Sequence, residues 1–145
     1  MKKLSLVSLI VVMSLIVFSS LQSRSSGPPF SNGTLSGAYV FSGSSGHPAD
    51  WTGILNFDGA GNVTGTIFLN RAGDTPSQCS GSLFGTYSVD STGALSMTLT
   101  GLDLEDCTGS NVTSNFVGET VHNGHAFVFA SSDFGHARAG VGIEQ

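Results

Sequence analysis

Two histidines bracket a turn signal in His122-Asn123-Gly124-His125. In a two-residue hairpin they become cross-strand partners with Cβ atoms about 5 Å apart. Imidazoles so placed can bind Zn²⁺, Ni²⁺ or Cu²⁺, but no third ligand accompanies them and no metal site is assigned. Asp58-Gly59-Ala60-Gly61-Asn62 has the oxygen donors of a calcium loop, which needs several converging oxygens. Its counterpart, Asp90-Ser91-Thr92-Gly93, keeps only the turn residues, so turn formation accounts for both. The chain has no Gly-x-Ser-x-Gly element. Catalysis has thin support, and no cofactor is implied. The remaining polar candidates are His47, Asp50, Trp51, His136 and Arg138. Their places in the chain make them the polar rim of a ligand mouth, with Arg138 meeting an anion.

The elements that must position these groups come from a doubled pattern. Gly53-Ile-Leu-Asn-Phe57-Asp58-Gly-Ala-Gly61-Asn-Val63-Thr-Gly65 recurs 32 positions later as Gly85-Thr-Tyr-Ser-Val89-Asp90-Ser-Thr-Gly93-Ala-Leu95-Ser-Met97. Each copy is an alternating strand, an Asp-x-x-Gly turn and a second alternating strand. Period-two alternation predicts eight strands: Gly37–Ser42, Trp51–Phe57, Asn62–Asn70, Leu83–Val89, Ala94–Gly101, Val112–Thr120, His125–Ser131 and Ala137–Ile143. Asp58–Gly61, Asp90–Gly93 and Asn123-Gly124 are tight turns. The intervening connections are longer and carry Gly, Ser, Asp and Pro76. An antiparallel meander puts the tight turns at one end and the long loops at the other. Cys79 and Cys107 both fall at the long-loop end, flanking neighbouring strands. In an exported chain this predicts a disulfide, which contributes roughly 3–4 kcal/mol in the chain-entropy model.

The expectation is an all-β, eight-stranded antiparallel up-and-down barrel, since closure removes exposed edges. A two-sheet β-sandwich is the alternative. The last strand carries Ala137, Ala139, Val141 and Ile143 on one face and can pair with the first. The interior is assigned to Tyr39, Phe41, Trp51, Leu55, Phe57, Val63, Ile67, Leu69, Tyr87, Val89, Leu95, Met97, Leu99, Phe127 and Phe129. Gly53, Gly65 and Gly85 share that face and either relieve packing or leave a small pocket. A barrel of this size is filled by side chains or holds one small ligand. The candidate ligand-binding residues are Trp51, Tyr87, Phe127, His136 and Arg138. A continuous cavity opening between the long loops would favour ligand binding over the structural alternative, and a barrel fully plugged by Trp51, Tyr87, Phe127 and Phe129 would sink the binding expectation.

The blocks Gly37-Ala-Tyr39-Val-Phe41, Gly53–Gly65 and Gly85-Thr-Tyr87-Ser-Val89 resemble those of a loose group of secreted bacterial proteins. The resemblance covers the first five strands well and the last three in outline. It implies a small calycin-like (lipocalin- or avidin-like) barrel and no assigned activity. Gly37-Ala38-Tyr39 is similar to the Gly-x-Trp start of lipocalins, with Tyr replacing Trp. Arg138 is the one counterpart for the Arg of their last strand, but it falls at the opposite end of the barrel from Tyr39.

Met1-Lys2-Lys3 followed by an apolar run from Leu4 and small residues around Ser23-Arg24-Ser25 matches a secretory signal. Residues 1–25 are read as that signal, with an uncleaved anchor as the alternative, 26–35 as a linker and 36–145 as the barrel domain. Removing the signal leaves Arg71 and Arg138 against ten acidic residues, a net charge of −8. Such a chain lacks the cations that nucleic-acid binding needs, and membrane contact is expected only through an uncleaved N-terminus. The sequons at Asn32, Asn62 and Asn111 are expected to carry no glycan, because the signal reads as bacterial. The expected location is secreted or periplasmic. The leading functional expectation is a non-enzymatic module binding a small apolar or amphipathic ligand at its long-loop end. The alternatives are a structural or adhesion protein of the cell surface and a pocket-type isomerase or cyclase. Oligomeric state is left open.

Overall fold

The alternation in the sequence becomes eight strands in the computed structural model, which describes residues 29–45, 49–71, 78–102, 112–133 and 138–145. The strands are β1 (Ser36–Ser45), β2 (Ala49–Asp58), β3 (Asn62–Arg71), β4 (Gln78–Val89), β5 (Ala94–Leu102), β6 (Val112–Val121), β7 (Ala126–Ser131) and β8 (Arg138–Glu144). Each pairs antiparallel with its chain neighbour, and β1 pairs with β8, so the sheet is a closed up-and-down barrel. The sandwich alternative is set aside. Cys107, His47, His136 and the N-terminal signal or anchor lie outside the described residues.

Three strands, β1, β2 and β4, run clearly beyond their expected bounds. β4 begins at Gln78 rather than Leu83, because Gln78–Gly81 pairs with Ile67–Asn70 of β3. This Ser/Gly stretch has no hydropathy alternation and is held by the backbone ladder. Cys79 therefore lies inside β4, opposite Leu69, and not in the preceding loop. β1 and β2 likewise run on to the Ser45–Ala49 pair, which shortens their connection to residues 46–48.

Every residue assigned to the interior is buried in the core except Leu69, which is partly buried against it. Leu35, Leu83 and Phe116 join them. On β2–β4 the outer face is mostly Thr, Ser and Asn, the reverse of a membrane-spanning barrel, whose lipid face is apolar. The last strand departs from the common pattern. Val141 and Ile143 point outward and are 40% and 58% exposed, while Arg138, Gly140 and Gly142 face in. The reason is steric. A Cβ on Gly142 would lie 2.2 Å from the Phe127 ring, and one on Gly140 2.7 Å from the Phe129 ring. Those rings occupy the space that side chains of β8 would otherwise need.

The interior glycines of β2–β4 answer a different demand. A Cβ on Gly65 would lie 2.0 Å from the carbonyl oxygen of Ile54, and one on Gly85 1.9 Å from that of Thr98. The neighbouring strand's backbone crosses close over each position, as at the bends of a tightly curved sheet. These glycines leave no pocket.

The repeated Asp-x-x-Gly turns are built by their carboxylates. Asp58 Oδ1 accepts from the backbone N–H of Ala60 (2.7 Å), Gly61 (2.9 Å) and Asn62 (2.9 Å). Its Oδ2 accepts from Asn62 Nδ2 at 2.6 Å. Asp90 Oδ1 accepts from the N–H of Thr92 and Ala94 and from the Thr92 hydroxyl. The donors hold both carboxyls below their ordinary range. Asp58 falls to about 2, through the Asn62 side chain first and the backbone amides next, and Asp90 is lowered chiefly by Thr92.

Gly85→Ala is expected to lower the thermal midpoint by about 5–15 °C, the effect of overpacking by about 1–3 kcal/mol in a domain this size. Gly33→Ala, whose Cβ would meet nothing nearer than 3.6 Å, should leave the midpoint almost unchanged. Circular dichroism melts check both. A depressed carboxyl stabilises the fold above its ordinary pKa, and that contribution is lost as pH falls through its folded value. Asp58 therefore contributes an acid-side loss of stability from about pH 4 down to about 2. Asp58→Asn should flatten that limb of the melting-temperature profile and lower the midpoint at neutral pH.

Candidate functional site

The barrel has two unlike ends, and the five candidate binding residues are divided between them. The closed end is plugged by a 3₁₀ turn, Asn32–Thr34, followed by Leu35, which is fully buried. Asn32 Oδ1 accepts from Val89 N–H at 2.8 Å. The Tyr87 hydroxyl lies 2.9 Å from the carbonyl oxygen of Asn32 and 2.8 Å from that of Leu35. Residues read as linker thus form the floor of the barrel. The Tyr39 hydroxyl donates to the Gly124 carbonyl at 2.7 Å and ties the β6–β7 turn to the same end. Burial raises the pKa of both tyrosines, so both stay neutral donors. Phe127 packs here as well, 5.6 Å from Tyr39 and 5.5 Å from Phe57 between ring centroids.

Trp51 and Arg138 lie at the other end, where β1–β2, β3–β4, β5–β6 and β7–β8 connect. Arg138 Nη1 donates to the hydroxyl of Ser114, a buried inward residue of β6. His136 lies outside the described residues. Tyr87 and Phe127 are therefore not brought together with Trp51 and Arg138. Arg138 is also remote from Tyr39, as its position in the chain implied.

Between the ends the lumen is filled. Eight rings run from Tyr87 through Phe57, Tyr39, Phe127, Phe129 and Phe116 to Trp51 and Phe41, with successive centroids 4.8–6.3 Å apart. Edge-to-face and tilted pairs of this kind add to burial. Trp51, Tyr87, Phe127 and Phe129 are all buried, which counts against the expected ligand in the barrel and leaves only its rim and outer face for binding.

Space opens instead at the rim. A cleft of about 620 Å³ lies over the long-loop ends of β1–β4, within the size range of small-molecule sites. Its lining joins the outward side chains of Phe68, Asp50, Asn70 and Gln78 to Trp51 and Leu69, whose side chains turn to the interior behind them. Asp50, Asn70 and Gln78 form one cross-strand row. Trp51 is 8% exposed, and its Nε1 is the one buried side-chain polar atom among the described residues with no hydrogen-bond partner. Leaving such a donor unmet costs about 1–3 kcal/mol.

The histidine pair does not form as expected. The last β6–β7 ladder pair is Val121–Ala126, so His122–His125 is a four-residue turn and the two imidazoles are not ladder partners. His122, Asn123 and Gly124 all have left-handed φ, at 52°, 58° and 97°. His125 Nδ1 is engaged by the Glu144 carboxylate. Among the described residues no three His, Cys, Asp or Glu converge on a metal position.

The site residue that sequence reasoning missed is Phe68. It sits on the outward, mostly polar face of β3 and is 57% exposed. The signal was available: Thr64, Thr66, Phe68 and Asn70 alternate with the apolar interior face, and a lone ring among them is out of place.

This closed eight-stranded meander is consistent with the calycin-like class of fold. No protein family, curated protein or solved structure was found to match the chain.

Proposed function

We propose that this chain is an exported, non-enzymatic binding module that takes a small amphipathic ligand at the long-loop end of its barrel. The supporting observation is the cleft at that end, lined by the exposed Phe68 ring and by Trp51, whose buried Nε1–H has no hydrogen-bond partner. A ligand with an apolar face and hydrogen-bonding edges matches the exposed Phe68 ring beside the Asp50, Asn70 and Gln78 row. The ligand lies outside the ring stack and does not enter it. In this reading the Cys79–Cys107 disulfide fastens β4 to the β5–β6 connection beside the cleft.

A second reading, a structural or adhesion protein of the cell surface, draws on a different observation. Val40, Ile143, Val141 and Val128 form a continuous outward patch through the pairs Val40–Ile143 and Val128–Val141, each residue 40–58% exposed. Patches of this kind mark contact surfaces.

Native mass spectrometry of protein recovered from its own host should show a bound small molecule that Phe68→Ala loses. Trp51 is the only tryptophan, so its emission should shift when that molecule is stripped. Bare protein whose emission ignores added fatty acids, lysophospholipids and sugars would overturn the reading in favour of the structural one. Intact mass should rise by a pair of hydrogens on reduction. Alkylation of Cys79 without prior reduction would remove the disulfide from the reading.

A further inference from the structure

Phe68 stands on the outer face in a row with Ser42, Thr52 and Ser80, paired across β1–β4 as Ser42–Thr52, Thr52–Phe68 and Phe68–Ser80. Each flanking side chain is small, which leaves the ring 57% exposed. The next row toward the rim is Asp50, Asn70 and Gln78. An exposed ring bordered by hydroxyls, two carboxamides and a carboxylate offers a stacking surface with donors and acceptors in the plane around it.

A second ring continues the line. Phe84 is 45% exposed on the outer face of β4, opposite Thr64. It lies four residues beyond Ser80, the partner of Phe68, an offset of about 13 Å at 3.3 Å per residue. The surface between the two rings is Thr66 and Ser82, themselves a cross-strand pair. The arrangement is two aromatic platforms joined by a hydroxyl track, starting in the cleft and running down the outside of β3 and β4.

We propose that this track binds a linear neutral glycan, with one sugar ring stacked on Phe68 at the cleft, another on Phe84, and the Asp50, Asn70 and Gln78 row hydrogen-bonded to sugar hydroxyls. The proposal rests on the binding-module reading and names its ligand class. Sugar rings have an apolar C–H face and a hydroxyl edge, which is the amphipathic shape that the cleft requires. The length of the track selects a chain of several sugars over a single one. Its charge selects a neutral chain: Asp50 is the one ionisable group among the described residues lining the cleft, in a protein of net charge −5. Polyuronates and nucleic acids, which offer similar planar or ring faces, bring anions, and no Lys or Arg is among the described residues lining the cleft.

The test is affinity electrophoresis of the folded domain in native gels containing a soluble neutral β-glucan, xyloglucan or xylan, with polygalacturonate as the acidic comparison. Retardation is expected in at least one neutral polymer and absent in polygalacturonate. Phe68→Ala should weaken it by about tenfold or more, the loss of one stacked ring, and Phe84→Ala should weaken it for the polymer but not for a disaccharide. Both rings are outside the core, so melting temperatures should stay near the parent value and exclude misfolding. No retardation in any neutral polymer, or retardation indifferent to Phe68→Ala, overturns the glycan proposal. If Trp51 emission then still responds to fatty acids or lysophospholipids, the binding-module reading survives without it. If neither probe acts, both fail.

Discussion

An eight-stranded barrel is just wide enough for its own side chains or one small ligand, and here large rings on one strand lie over glycines at their cross-strand partners. That reciprocity governs this molecule. Phe127 and Phe129 of β7 project where Gly142 and Gly140 of β8 have no side chain. Trp51 of β2 projects over Gly43 of β1, where a Cβ would stand 2.6 Å from the indole. The seam where β1 meets β8 is thus glycine-lined within, and closure follows from where the rings go. The same rings leave the lumen full, which moves any binding to the rim and the outer face.

The two ends then take different roles. At the closed end, polar groups are consumed internally: Tyr39, Tyr87 and Asn32 satisfy carbonyls and an amide of the plug and turns, and Asp58 and Asp90 are spent on their own loops. At the open end, the polar row of Asp50, Asn70 and Gln78 faces outward, and one buried N–H has no internal partner. A domain that satisfies its donors at one end and leaves one unmet at the other is asymmetric in chemistry as well as in shape.

Much of this was legible in the sequence because period-two alternation reports which residues share a face. The strand count, the closure of last strand on first, and the interior from Tyr39 to Phe129 follow from that signal. It failed where the inward residues carry no hydropathy. On β8 the eye follows Ala139, Val141 and Ile143, but Gly140 and Gly142 face in, for reasons visible only once the rings of the neighbouring β7 are placed. The start of β4 was hidden because Ser and Gly pair through backbone alone. Leu35 was hidden by its Ser/Gly/Pro-rich surroundings, since its burial depends on Tyr87 from far along the chain. The turn at His122–His125 takes three left-handed residues, and the Asn-Gly pair signalled only part of that. The rim cleft was the least legible, because it depends on register across four strands.

The seam also bears on the order in which the domain can form. β1 has one edge that finds no partner until β8 is present, and the plug before it touches Gly124 near the far end of the chain. Such contacts join the start of the sequence to its finish, and closing so long a loop slows folding. No leading portion of the chain can complete a barrel. The seam can therefore close only in a chain whose last strand is present.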